Sequence, residues 1–196
     1  MTAEAAALLA GLAIAAGCSS DAPPVPILAV FAPDSVAPAD AAAPMARSAP
    51  VRVQIPAIGV DSALMRLGLQ ADGTLQVPPA AFPAGWYTGL PTPGESGPAI
   101  LAGHVEWGGV PGVFYRLRDL RPGALVTVLR QDGSAAVFRV KQVEEYPKDE
   151  FPTDVVYGDI DHAGLRLITC GGAYDPETRD YEDNVVAFAD LIVTRG

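Results

Sequence analysis

The sequence predicts an all-β domain, of the barrel rather than the sandwich kind. Its apolar residues fall in short alternating or continuous segments, with little helical spacing. Breakers are abundant: 20 Gly and 19 Pro punctuate 196 residues, so the segments are separated by turns. The hydrophobic content is 49% with only 7% aromatic residues, a composition of Ala, Val and Leu that suits a small closed sheet. Seven or eight such segments with no internal repeat favour a barrel, which leaves no sheet edge unpaired.

Taken in order, the chain opens on an apolar, small-residue run from Ala5 to Gly17. The run is too short for an ordinary membrane-spanning helix and long enough for the apolar part of an export signal. Met1 to Glu4 carry no Lys or Arg, a departure from the usual basic start of such a signal. Ala15-Ala16-Gly17-Cys18, followed by Ser19-Ser20, resembles a bacterial lipoprotein signal, with Ala15 where Leu is usual and Cys18 as the lipid attachment. Residues 1–20 are therefore an export signal or a lipoprotein-type anchor, and both place the rest of the chain outside the membrane and tethered to it. From residue 21 to 50 the chain is a Pro/Ala-rich linker, interrupted by Ile27 to Phe31.

The domain is expected over 51–196. Strict alternation in Val51-Arg52-Val53-Gln54-Ile55 announces its first strand. Asp72-Gly73 signals a turn before an expected strand at Thr74 to Val77, which Pro78-Pro79 ends. Gly85-Trp86-Tyr87 and Pro91 to Gly97 read as a loop-rich approach to the apolar run Ala99 to Ala102, which ends on Gly103-His104. Phe114, Leu117 and Leu120 recur every third residue, as on a short helix closed by Arg121-Pro122-Gly123. Ala124 to Arg130 and Ser134 to Val143 flank Gln131-Asp132-Gly133 and predict a hairpin. Phe151 to Tyr157 predicts a helical turn, and strands at Leu165 to Cys170 and Val185 to Val193 close the domain.

A net charge of -10 leaves no basic stripe for phosphates and excludes nucleic acid as a partner. With only Cys18 and Cys170, a disulfide framework is excluded too. No run of alternating carboxylates suggests a metal, and no cofactor is expected.

Three residues carry candidate chemistry. Leu165 to Thr169 bring Cys170 to the mouth of Gly171-Gly172, at the end of a rigid strand rather than inside it. His104 ends another strand, and Arg179 precedes the last one. A thiol is a nucleophile only as thiolate, which an imidazole can generate. A guanidinium can steer a carbonyl oxygen and stabilise the oxyanion formed when sulfur attacks, which a flexible ammonium does less well. Together they suit acyl transfer through a thioester, although one Cys and one His in a small domain do not by themselves make a dyad.

Ala102-Gly103-His104, the stretch Gly108 to Leu120, Leu167-Ile168-Thr169-Cys170-Gly171-Gly172, and Arg179 before Tyr181-Glu182-Asp183-Asn184-Val185-Val186 together resemble a sortase, most closely the actinobacterial class F group. The resemblance covers nearly all of 51–196. It implies a closed eight-stranded sortase-type β-barrel with short helices, and cysteine transpeptidation on the outer face of a Gram-positive membrane. Its implied partners are proteins bearing an LPXTG-type sorting signal and an amine acceptor such as a cell-wall precursor or a pilin. Carried over by position, Cys170 is the nucleophile, His104 the general acid/base and Arg179 the residue that positions substrate and oxyanion. Thr169 and Trp107 are candidate substrate contacts, Thr169 against the reading of an ordinary β-branched strand residue; Trp86 and Trp107 are groove candidates against the preferred reading of surface-packed aromatics, and Asp183 and Asn184 are expected to cap or bind the turn. A hydrolytic cysteine peptidase would use the same trio, and a non-enzymatic exported β-barrel binding module would leave the thiol unreactive.

Overall fold

The computed structural model describes residues 42–195, so Cys18, the signal-like segment 1–20 and most of the 21–50 stretch lie outside the described residues. The strands are β1 (Pro50–Ile55), β2 (Val60–Leu67), β3 (Ala84–Tyr87), β4 (Gly97–Ala102), β5 (Glu106–Trp107), β6 (Val110–Pro111), β7 (Leu125–Arg130), β8 (Ala135–Pro147), β9 (Ala163–Asp175) and β10 (Asp180–Arg195). Among the described residues, one short α-helix, α1 (Thr153–Tyr157), and three single 3-10 turns complete the elements. Eight strands close into a barrel in the order β1-β2-β3-β4-β9-β10-β8-β7, with β1 pairing back to β7, while β5 and β6 form a separate small hairpin. Among the described residues no helix is long and apolar enough to cross a membrane.

Two pairings are parallel, β2 with β3 and β4 with β9. The second matters most, because it sets the ends of β4 and β9 side by side, with Ala102 opposite Ile168. Period-two alternation then sorts each strand into two faces. Leu165, Leu167, Val185 and Ala187 turn inward and join Val53, Ile55, Leu101, Phe114 and Phe138 in the barrel core. Ile100, Ile168, Val186 and Phe188 turn outward and would be wet, were they not covered by Val156 of α1 with Phe151, Tyr157 and Tyr146. The segment Lys148 to Tyr157 thus packs on the outer face of the sheet that carries Cys170.

Several expectations are met: the first strand, the hairpin now seen as β7 and β8, the helical turn at 153–157 and the two closing strands. The helix expected around Phe114, Leu117 and Leu120 is a single 3-10 turn at Leu117–Asp119, yet all three side chains are buried as the spacing implied. Thr74 to Val77 is not a strand: one isolated bridge joins Leu69 to Leu75, and Leu69 and Val77 find no core, at 50% and 59% exposure. Conversely, Gly85-Trp86-Tyr87 is strand β3 rather than loop, and β2 was not foreseen, because its exposed Asp61, Ala63 and Arg66 mask the apolar period.

The last residues of the Pro/Ala-rich stretch are docked on the barrel. The Met45 N–H donates to the Gly94 carbonyl at 2.7 Å, and the Gln131 N–H donates to Ala49 at 2.8 Å. Arg130, whose side chain is almost wholly buried, donates to the Ala46 carbonyl and to Ser134 Oγ.

Candidate active site

Cys170 lies on β9 opposite Asn184 of β10, two residues beyond Ile168 and so on the same outer face. Thr169, one residue earlier, faces the barrel instead; it is buried opposite Val185, and its hydroxyl has no hydrogen-bond partner among the described residues. His104 follows Ala102, the last residue of β4, by two residues, as Cys170 follows Ile168, so both lie two residues beyond the same step of the parallel register; Cys170 sits within β9, which runs on to Asp175, and not at a strand end as the sequence suggested. The Gly103 N–H, donating to the Ile168 carbonyl at 3.1 Å, extends that pairing one step toward them.

The His104 backbone is clamped from behind. Its carbonyl accepts from the Phe114 N–H at 3.0 Å, and the Gly112 N–H donates to Val105 at 2.8 Å. Gly112 passes so close that a Cβ there would lie 2.2 Å from the His104 oxygen, so only glycine fits this crossing. The imidazole is held at its other end by the Pro78 carbonyl, 2.7 Å from Nε2. A carbonyl only accepts, so Nε2 carries the proton and Nδ1 is left as the basic nitrogen. Trp107, about half exposed on β5, leans on the ring with centroids 4.7 Å apart.

Around the thiol, burial raises the Cys170 pKa above its ordinary value, the nearby Lys148 ammonium pulls it down by charge and as a donor, and Asp180 pushes it up; the net shift is upward. Lys148 opens the covering segment directly after β8 and pairs with Asp180 at 2.6 Å. For Asp180 burial acts upward, but the Lys148 hydrogen bond, the Tyr181 N–H and the Lys148 charge outweigh it and hold the carboxyl below its usual range. Tyr181 is raised by burial and by the neighbouring Glu106, Cys170, Tyr174 and Tyr115, and its ring meets Tyr174 edge-on at 5.3 Å. The thiol therefore has Tyr181 in its surroundings, with Lys148 and Asp180 as the charges that act on it.

Gly171 and Gly172 let β9 pass Val185, Glu145 and Asp183 closely just after Cys170. Gly172 has a φ of 74°, and its N–H donates to Glu145 Oε1 at 2.6 Å. A Cβ on Gly171 would strike Val185 and Glu145, at 2.6 and 2.7 Å.

Arg179 is placed differently from the other two. Beyond Cys170 the β9–β10 hairpin runs on, pairing Tyr174 with Tyr181 and Asp175 with Asp180, and Arg179 occupies the turn at its tip with a φ of 57°. Its side chain is exposed and makes no ion pair among the described residues. Asp183 and Asn184 are ladder residues of β10 rather than turn residues. Trp86 is a core residue on β3, 3% exposed, and lines no groove. His162 bridges Asp161 and Asp190, at 3.0 and 3.1 Å, away from the thiol. Sequence reading passed over Lys148, because Lys148-Asp149-Glu150 has the look of an ordinary solvated charge run; only folding turns its first member onto the sheet.

No curated protein matches this sequence. Among solved structures, a lid mutant of sortase A from Corynebacterium diphtheriae superposes with a TM-score of 0.57 over 76% of this chain and 73% of that one, at 16% identity. The pilus-related sortase C of Group B Streptococcus gives 0.58 over 76% and 70%, at 15% identity. Sortase A of Listeria monocytogenes gives 0.55 over 76% of this chain and 90% of that one, at 17% identity. At such identities the likeness concerns the fold, the same closed barrel with few short helices. The sequence itself is matched by the sortase domain family over residues 53–192, which is most of the chain, and the protein therefore belongs to the sortase family.

Proposed function

We propose that this protein is an extracytoplasmic cysteine transpeptidase, most like the class F sortases, that cleaves an LPXTG-type sorting signal and passes the acyl group to an amine. The observation that carries this reading is the parallel β4–β9 pairing, whose last partners, Ala102 and Ile168, each stand two residues before His104 and Cys170. The membership in a family of cysteine transpeptidases supports it.

In this mechanism the Cys170 sulfur attacks the carbonyl carbon of the threonine in the signal, forming a C–S bond as the thiol proton passes to Nδ1 of His104. The tetrahedral oxyanion collapses, the C–N bond to the following residue breaks, and His104 gives its proton to the leaving amine. An acceptor amine then attacks the thioester, surrenders a proton through His104, and Cys170 leaves to be reprotonated. Fixing Nε2–H on Pro78 keeps the imidazole in the tautomer this sequence needs. Because burial keeps the thiol protonated near neutral pH, the imidazole is required to take its proton at the moment of attack. Arg179 meets the peptide from the hairpin turn, where its planar donors can orient a carbonyl of the incoming signal. Trp107 steadies the His104 ring and forms one wall for the peptide. Residues 1–20 tether the domain to the outer face of the membrane, by an export signal left in place or by lipid on Cys18, and the stretch up to residue 41 spaces it away.

The test is incubation of the purified protein with LPXTG-type peptides and an amine acceptor, followed by product masses. An amide joining the truncated peptide to the amine supports transpeptidation. Hydrolysed peptide alone, with no acceptor product at any amine concentration, would assign the site to a peptidase.

A further inference from the structure

We infer that Lys148, held in place by Asp180, is a positioning residue for the nucleophile: the cation that acts on the Cys170 sulfur and its developing charge. This rests on the reading of Cys170 as the nucleophile and goes beyond it by assigning a group that lies far from the family-like motifs in sequence.

The placement follows from the register. Across the sheet Pro147 of β8 stands opposite Asp183 of β10, and Asp183 stands opposite Gly171 of β9. Lys148 comes next after Pro147, at the point where the chain leaves β8 to cover the outer face, the face on which Cys170 lies. Its ammonium is anchored 2.6 Å from Asp180 Oδ1 and its side chain is only 29% exposed, so the four-carbon stem is fixed rather than free in water. Arg179, by contrast, ends on the exposed tip of the hairpin. In the described structure, therefore, the positive charge near the sulfur comes from Lys148.

The charged and titratable groups around the thiol, around Tyr181 and around Gly171-Gly172 can be named from each packed element. Lys148 comes from the covering segment, Asp180, Tyr181 and Asp183 from β10, Tyr174 from β9 and Glu145 from β8. Arg118 comes from the 3-10 turn before β7, bound to Glu145 at 3.6 Å, with Glu106 from β5, Tyr115 after β6 and His104 after β4. Arg118 and Glu145 reach Gly171, on the barrel side of the strand, and compensate one another. On the outer face Lys148 is the cation that moves the thiol toward thiolate, and Asp180, which opposes it, also sets its position.

The experiment follows the pH dependence of Cys170 alkylation by iodoacetamide in the full chain, alongside acylation by an LPXTG-type peptide. Lys148→Met removes the cation that stabilises the thiolate and leaves Asp180 unbalanced, so the alkylation midpoint moves to higher pH and the rate at neutral pH falls about 10-fold. Lys148→Arg keeps the charge and retains most of the rate. The double variant Lys148→Met with Asp180→Asn recovers part of the loss, because the opposing charge has gone with the stabilising one. An unchanged alkylation profile in Lys148→Met overturns the assignment, as does a Lys148→Arg variant as slow as Lys148→Met. Arg179→Ala serves as comparison: a matching shift of the alkylation midpoint there would place the cation at the sulfur on Arg179 instead. Failure of the parent reading looks different, since wild-type protein would then alkylate with the Lys148-dependent profile and yet form no thioester with any peptide.

Discussion

Replacing Gly112 by Ala puts the geometry of the histidine to a direct test. A Cβ at this position would lie 2.2 Å from the His104 carbonyl oxygen, 2.6 Å from its carbon and 2.8 Å from its Cβ. Non-bonded heavy atoms need about 3.5 Å, so either the β5–β6 hairpin or His104 must retreat by about 1 Å. Both backbone hydrogen bonds that clamp the crossing, from Phe114 to His104 and from Gly112 to Val105, are strained by that movement. Overpacking of this kind costs about 1–3 kcal/mol, enough to lower the melting temperature by several degrees without unfolding a domain of this size. A catalytic group displaced by about 1 Å loses on the order of 100-fold in rate. The expected outcome for Gly112→Ala is therefore a folded protein, slightly less stable, with kcat/KM for the peptide reduced by about 100-fold. Gly68→Ala is the control, because a Cβ there meets Gln76 only at an ordinary 3.5 Å. Wild-type turnover and an unchanged melting temperature in Gly112→Ala would refute the claim that this crossing positions His104.

Three further outcomes follow from the same structure. Arg179→Ala raises KM for the peptide and leaves the alkylation rate of Cys170 unchanged, since the guanidinium lies at the hairpin tip; steady-state kinetics beside iodoacetamide labelling separate the two effects. Phe138, fully buried in the barrel, costs about 3–5 kcal/mol when cut to Ala, read from denaturant unfolding midpoints. Folding raises the Cys170 pKa, so the unfolded chain releases its thiol proton first as pH rises. The Cys170 contribution is therefore fully present below the unfolded thiol's pKa and is lost as pH climbs through the folded value. Wild type should lose stability relative to Cys170→Ala across that alkaline window in paired melting curves, and parallel curves would contradict this.

How much could be read from the sequence depended on where each signal was written. Strict alternation at Val51 to Ile55 and the Gln131-Asp132-Gly133 turn are local chemistry, and both appear as expected. The strand β2 was hidden because its exposed residues are mixed Asp, Ala and Arg, and β3 because Gly85-Trp86-Tyr87 is short and flanked by Gly and Pro. Thr74 to Val77 had the right residues and no partner, so tertiary pairing overruled propensity. Cys170 and His104 were legible because each ends an apolar run beside Gly. Lys148 was not, because its place depends on a covering segment that returns to the outer face only after β8 is built.

The central proposed step is formation of an acyl-enzyme on Cys170 from a sorting-signal peptide with help from His104. Mass spectrometry of the intact protein after brief mixing with an LPXTG-type peptide, before any amine is added, reads that step alone. The expected result is an adduct equal to the peptide cut after threonine, carried on the Cys170 peptide, removed by hydroxylamine and absent from both Cys170→Ala and His104→Ala. An adduct that persists in Cys170→Ala, or wild-type protein that cleaves the peptide without ever carrying an acyl group on Cys170, would contradict it.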